Sequence, residues 1–293
     1  MAAGAPESAL PFGVITLGFG ARKYFNQAET MARSMRLHMP GIPLAIVTDR
    51  EDPGPHFDIA VPLVRERGMG VIQKIWLDEY SPFEETLFVD SDCIVVRPFH
   101  DQLAALRQYS FTPTCDAYLG QEDQDSFYFE DLGRTMRALG IELFPKFNGG
   151  LLFFRRGEVT SRIFQRAREL AERHRELGLI AFDGGGVADE TLIGLALALE
   201  GMTDLYDCNG SLMRTPIGLS GMLEVDALSG ECRFQKHGKA VSPAICHFAA
   251  PYAGYSQYRY NSFLVRHPAV PAWLKSLVRI YYRAETRLSG AYR

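Results

Sequence analysis

The sequence predicts an α/β protein built on a mostly parallel sheet with helices on both faces. Three observations predict it. Short apolar, β-branched runs recur at 12–17 (FGVITL), 43–48 (PLAIVT), 59–64 (IAVPLV) and 86–96 (TLFVDSDCIVV). Stretches with helical spacing alternate with them, as at 24–38, where Ala28, Met31, Ala32 and Met35 share one face. The runs are continuous rather than alternating, which is the pattern of strands covered on both sides.

Taken in order, the first strand runs into a Gly18-Phe19-Gly20 turn, and the helix at 24–38 stops at Pro40-Gly41. The second strand closes at Asp49. A short apolar piece at 59–64 follows a Pro/Gly-rich loop, and 70–80 reads as helix. The second half is less regular. Residues 121–131 (QEDQDSFYFED) are acidic and aromatic, 147–154 (FNGGLLFF) is a strand with a polar head, and 158–177 is a long charged helix. A glycine-rich loop at 183–186 precedes a helix at 188–199, and 244–248 (AICHF) is a late short strand. No internal repeat or low-complexity linker divides the chain. The expected organisation is a tail at 1–10, one compact unit at 11–265 with halves at 11–100 and 101–265, and a C-terminal helix at 266–293.

The 293 residues suffice for a real core, and 47% hydrophobic with 23% charged content is ordinary for a globular protein. A net charge of −4 gives no electrostatic basis for nucleic-acid binding, so no nucleic-acid partner is expected. The five cysteines, Cys93, Cys115, Cys208, Cys232 and Cys246, are scattered without a C-x-x-C, which favours a reducing compartment over a disulfide framework. The start of the chain lacks a basic region followed by an apolar run, and no stretch approaches the roughly 18 apolar residues of a membrane span. A cytoplasmic address follows.

Ligands in such sheets bind at the carboxyl ends of strands, and three strand ends carry polar groups: Thr16, Asp49, and the pair Asp90 and Asp92. The pair interrupts an apolar run. If 86–96 is one strand, residues two apart point to the same side and the two carboxylates converge. Unpaired, they repel and resist burial. A hard divalent cation removes both problems, and Mg²⁺ or Mn²⁺ held by few carboxylates usually shares its shell with substrate phosphates. The other reading is a strand ending at Val89, a D-S-D turn and a second strand from Ile94.

With Asp90-Ser91-Asp92 after a strand, the chain resembles the nucleotide-sugar glycosyltransferases of the GT-A fold, most closely glycosyltransferase family 8, the glycogenin-like and bacterial lipopolysaccharide-type retaining enzymes. The resemblance rests on motifs in order: VITLGFG, helix and PLAIVTD at the start; Lys74 upstream of the D-x-D; Phe147-Asn148-Gly149-Gly150; Ala188-Asp189-Glu190 opening a helix; and Cys246-His247-Phe248. It implies a nucleotide-binding half at 11–100 and an acceptor and metal half at 101–265. It implies Mn²⁺ or Mg²⁺ on Asp90, Asp92 and His247. Thr16, Leu17 and Gly18 would line the base pocket, with Asp49 and Ser91 on the donor side. Lys74, Asn148 and Gly149 would hold the donor sugar, with Asp189 and Glu190 as catalytic carboxylates. The implied reaction moves a sugar from a nucleotide diphosphate donor, UDP-linked, to a saccharide or lipid-linked acceptor with retention. The alternatives are a sugar-phosphate nucleotidyltransferase and a catalytically silent nucleotide-sugar-binding protein.

Two positions depart from the family. The lysine usual six residues after the late histidine is Ala253 here, with Arg259, Tyr255 or Tyr258 as substitutes, and the usual D-Q is Asp189-Glu190. Several positions carry plainer readings as well. Lys74 is also a solvated helix lysine, His247 a satisfied core histidine, and Asp189 a helix N-cap. Residues 121–131 read as a solvated loop or as an acceptor-side lid carrying Phe127, Tyr128 and Phe129. In the C-terminal helix, Lys275, Arg279, Arg283 and Arg287 recur every four residues. That stripe is either the solvated face of a packed helix or a peripheral contact with the inner membrane face.

Overall fold

The computed structural model describes residues 9–182, 186–206 and 209–289. Residues 1–8 of the expected tail, 183–185 of the glycine-rich loop, Cys208 and the side chain of Arg287 lie outside the described residues.

The first elements are β1 (Leu10–Leu17), α1 (Arg22–His38), β2 (Leu44–Thr48) and β3 (Ile59–Pro62). A 3₁₀ stretch, Gly70–Trp76, runs into α2 (Leu77–Tyr80), followed by β4 (Phe83–Val89), β5 (Cys93–Val95) and α3 (His100–Leu106). The middle holds β6 (Phe111–Leu119), α4 (Leu132–Leu139), β7 (Phe144–Arg155), α5 (Glu158–Glu172), β8 (Ala181–Phe182), β9 (Gly186–Val187) and α6 (Asp189–Leu199). The last part holds β10 (Met213–Arg214), β11 (Leu219–Asp226), β12 (Glu231–Lys236), β13 (Lys239–Val241), β14 (Ile245–His247), α7 (Ser256–Arg266) and α8 (Ala272–Ser289).

The main sheet has six strands in the order β3-β2-β1-β4-β7-β6. β1 runs parallel to β4 and β2 parallel to β3, while β6 and β7 are antiparallel. The mixed, helix-covered sheet predicted from the continuous apolar runs is what forms. Several boundaries differ. Residues 70–80 are mostly 3₁₀ rather than α, and the helix expected over 158–177 ends at Glu172. The largest difference is at 86–96, which is not one strand. β4 stops at Val89, a turn follows, and β5 belongs to a separate three-stranded sheet of order β10-β14-β5. Asp90 and Asp92 cannot be satisfied inside a strand covered on both faces. The chain therefore turns at the carboxylates, with Cys93 N–H donating to Asp90 C=O at 3.1 Å.

The chain divides into two units. One comprises the described residues up to Ile15, Leu63–Phe88 and Tyr109–Leu205. Its core includes Phe111, Phe154 and Phe164, packed edge to face or stacked with ring centroids 5.3–6.1 Å apart. α6 is apolar nearly all round because it is buried nearly all round. It also approaches β7 closely: a Cβ on Gly194 would lie 2.7 Å from the Phe144 ring.

The other unit comprises Thr16–Pro62, Val89–Gln108 and the described residues from Tyr206. Ser34 of α1 accepts the Val95 N–H at 2.9 Å and donates to Met31 C=O at 2.7 Å, which fixes β5 on that helix. Behind β5 and β14 lies an apolar cluster that includes Ile94, Val96, Val225, Phe234, Cys246 and Phe248. α8 turns Lys275 and Arg279 inward. Lys275 meets buried Asp226 at 2.9 Å and Arg279 meets Glu231 at 3.7 Å. Of the basic stripe, read from the sequence as either a solvated face or a membrane contact, Lys275 and Arg279 are engaged with acids of their own unit. The outward face is apolar, carrying Trp273, Leu277, Ile280 and Tyr281, all more than half exposed.

Candidate metal centre and carboxylate cluster

The candidate metal centre lies within the second unit, at the end of the β5–β14 ladder. Cys93 lies opposite His247, and the ladder is extended by Phe248 N–H donating to Asp92 C=O at 3.1 Å. This brings His247 Nε2 within 2.9 Å of Asp92 Oδ1 and 3.6 Å of Asp90 Oδ2. His247 is buried, and both aspartates are partly exposed. Burial, and then the nearby Asp92 carboxylate, push the Tyr258 hydroxyl well above its ordinary value. Among the described residues, one group of ligand atoms fits around a single ion: Asp92, Cys93 and His247 each offer one within 4.8 Å of the others. The carboxylate and imidazole of that group suit a divalent cation. Sequence reasoning brought Asp92 and His247 together but passed over Cys93, although it directly follows the D-x-D.

The predicted base-pocket residues lie in the same unit. Gly18 N–H donates to Val47 C=O at 2.9 Å, and Thr48 Oγ1 donates to Gly18 C=O at 2.8 Å, so the ends of β1 and β2 are pinned together. Thr16 and Gly18 are buried. A Cβ on Gly18 would lie 2.7 Å from the Ile46 δ-methyl and 3.0 Å from Ala28 Cβ, so a larger residue there would have to push the Ile46 side chain aside. Asp49 is exposed and accepts the Gly20 N–H at 3.2 Å, closing the turn after β1. Ser91 occupies the turn between the two aspartates.

The other predicted residues form a cluster within the first unit. Lys74 is buried rather than solvated. Its ammonium donates to Gly149 C=O at 3.2 Å and lies 3.4 Å from Asp189 Oδ2. Glu190 Oε1 accepts the Gly149 N–H at 2.6 Å, and Glu190 Oε2 accepts the Tyr128 hydroxyl. Burial, followed by the Glu190 charge, pushes that hydroxyl well above the ordinary tyrosine range. The N-cap position of α6 belongs to Ala188; Asp189 and Glu190 are its first turn, where the helix dipole favours carboxylates. Gly149 is required here, because a Cβ would lie 2.3 Å from Asp189 Oδ2. Asn148 Oδ1 accepts the Gly150 N–H at 3.1 Å, a turn within the strand head.

The aromatic lid divides. Phe129 is buried against Phe144. Phe127 is 62% exposed and packs with Tyr128 and Phe182 at 4.9 and 5.2 Å. Tyr128 therefore links an exposed aromatic group to Glu190, a connection that the sequence stretch did not reveal. Residues 121–126, 129–133 and Arg137 line a cavity of about 430 Å³, and none of the predicted donor or metal residues faces it. As for the lysine replaced at Ala253, Ala253 packs on the apolar cluster, Arg259 is held by Glu285 at 2.7 Å, and Tyr258 is buried.

No helix among the described residues is long and apolar enough to cross a membrane. No protein-family model matches the chain, and no curated protein matches it in sequence. Solved structures do. The galactosyltransferase LgtC in complex with donor and acceptor sugar analogues superposes with a TM-score of 0.55 at 14% identity, over 90% of this chain and 99% of that one. An active-site mutant of LgtC gives 0.53 at 14% identity, over 82% and 88%. The bifunctional glycosyltransferase WbbM gives 0.54 at 11% identity, over 93% of this chain and 51% of that one, so the chain spans about half of WbbM. At these identities the likeness is one of fold, and the fold is that of the GT-A glycosyltransferases anticipated from the motifs.

Proposed function

We propose that the chain is a metal-dependent glycosyltransferase that moves a sugar from a UDP-linked donor to a saccharide or lipid-linked saccharide, with retention. The observation that carries this reading is the pairing of Asp92 with His247 at 2.9 Å beside Asp90, in a chain with the fold of LgtC. LgtC was solved with donor and acceptor sugar analogues, which supports a nucleotide sugar and a saccharide here.

Asp92 and His247, with Asp90 beside them, would hold Mn²⁺ or Mg²⁺, the imidazole favouring Mn²⁺. When bound, such a cation supplies Lewis-acid stabilisation of the negative charge that grows on a departing diphosphate. Thr16, Leu17, Gly18 and Asp49 would line the nucleoside side, where small residues and strand ends let a ligand approach the backbone. Lys74, Asn148 and Gly149 would hold the donor sugar. Asp189 and Glu190 supply the carboxylates that an oxocarbenium-like transition state needs. Tyr128 and the Gly149 N–H hold Glu190 in one orientation, so that charge is preorganised. Exposed Phe127, tied to Tyr128, supplies an apolar face for an acceptor sugar ring.

The described cysteines, buried and not joined in disulfides, suit a reducing cytoplasmic compartment. A peripheral membrane contact, if the acceptor is lipid-linked, belongs to the apolar outer face of α8 and not to Lys275 and Arg279, which meet Asp226 and Glu231. Vesicle sedimentation checks this: binding should persist on neutral lipid and fall in Leu277→Glu, whereas dependence on anionic lipid alone would contradict it.

A donor screen tests the reading. The protein with Mn²⁺ is offered UDP- and GDP-sugars, and nucleotide release is measured. Release of UDP that depends on Mn²⁺ is expected. No release from any nucleotide sugar, with pyrophosphate formed from a nucleoside triphosphate and a sugar 1-phosphate, would replace it with a nucleotidyltransferase. An inverted product by proton NMR would reject retention.

A further inference from the structure

The described cysteines fall into two kinds of surroundings. Cys115 donates to the carbonyls of Ala117 and Lys146, while Cys232 and Cys246 sit in the apolar cluster. These are ordinary buried thiols. Cys93 is as deeply buried, yet it is placed among metal-ligating groups.

The backbone explains why. Cys93 and His247 are directly opposed in the antiparallel β5–β14 pair. Opposed residues project to the same face, with Cβ atoms roughly 5 Å apart. The thiol therefore shares a face with the imidazole. Asp92 precedes Cys93, and its carbonyl accepts the Phe248 N–H, so the two chains stay in register past the end of the ladder. The result is one carboxylate oxygen, one sulfur and one ring nitrogen, all within 4.8 Å of one another. Donors held at about 2.0–2.3 Å from one ion lie within that span of each other.

We propose that Cys93 is a ligand of the metal centre, making it an oxygen, nitrogen and sulfur site that takes a borderline cation such as Zn²⁺ or Co²⁺ in preference to Mg²⁺. The proposal rests on the metal-dependent reading above and specifies its ion. Thiolate and imidazole ligands favour later, softer divalent ions, whereas Mg²⁺ favours oxygen. Coordination exchanges the S–H bond for a metal–sulfur bond, and the proton leaves to solvent. Cys93 would join Asp92 and His247, with Asp90 beside them, in holding the ion.

The test uses the full chain, stripped by chelator and titrated with Co²⁺ with and without UDP. The expected result is one equivalent bound, visible d–d bands, and a sulfur-to-cobalt charge-transfer band in the near ultraviolet. Cys93→Ser should lose the charge-transfer band, keep the d–d bands and bind Co²⁺ about 10-fold more weakly, with Mn²⁺ binding changed less. Cys93→Ala serves should the serine variant fail to fold, and the wild-type spectrum decides by itself if both fail. Bound Co²⁺ without a charge-transfer band, or a band that survives in Cys93→Ser, overturns the role of Cys93 and leaves the metal centre intact. No Co²⁺ bound under either condition overturns both.

Discussion

His247 Nε2 lies 2.9 Å from Asp92 Oδ1, two residues distant in sequence that meet because β14 pairs with β5 and with no strand of the main sheet. A cation held by both groups binds the folded state and not the unfolded one. At a free concentration of about 100 times its dissociation constant it should add about 2.7 kcal/mol of stability. Thermal unfolding with and without Mn²⁺ checks this. The shift should appear in the wild type and vanish in His247→Ala; an equal shift in both would place the ion elsewhere.

A side chain at Gly149 would have to displace Asp189 and Glu190. Its Cβ would stand 2.3 Å from Asp189 Oδ2 and 2.9 Å from Glu190 Cγ, at the rigid start of α6. Gly149→Ala should destabilise by about 1–3 kcal/mol through overpacking and displace both carboxylates. Denaturant titration and the transfer rate should fall together; unchanged values would mean that the first turn of α6 yields freely.

Lys74 and Asp189 are a buried ion pair at 3.4 Å. Lys74→Met takes the countercharge from a buried carboxylate and should cost about 3 kcal/mol. Lys74→Met with Asp189→Asn should recover most of that stability without recovering activity. Full recovery of both would assign the pair to folding alone.

Asp226 anchors α8. Burial raises its pKa, but the Lys275 ammonium, the Ser229 N–H and the Tyr260 hydroxyl outweigh burial and hold it below the ordinary carboxyl value. A carboxyl depressed in the fold supplies stability that is complete above its unfolded value, about pH 4, and is lost as pH falls through the lower folded value. Lys275→Met should therefore cost about 2 kcal/mol near neutrality, less than a fully buried pair because Lys275 is partly exposed. The difference from wild type should shrink in urea titrations below about pH 4. A constant difference across pH would contradict the pairing.

Much of the fold was legible because β1, β2 and α1 obey local rules: continuous apolar runs for covered strands, helical spacing for a one-sided helix, and Pro40-Gly41 to stop it. The turn at Asp90-Ser91-Asp92 was legible only as one of two readings. Apolar residues on both sides of it suggested one strand, whereas they serve two sheets, β4 in one and β5 in the other. The inward set of Lys275 and Arg279 was hidden for a similar reason. The period of a helix gives the stripe, but only the acids at Asp226 and Glu231 decide which way it faces. Cys93 was passed over because its neighbour is set by strand pairing: nothing local to DSDCIV says that His247 will lie opposite.

The most direct test of the account is nucleotide release from a UDP-sugar in the presence of divalent cation, compared between wild type, Asp92→Asn and His247→Ala. Asp92→Asn keeps the shape of the side chain and removes its charge, so folding, read by circular dichroism, should persist. The account predicts that cation-dependent release falls by at least about 100-fold in both variants. Release by Asp92→Asn at the wild-type rate would contradict it.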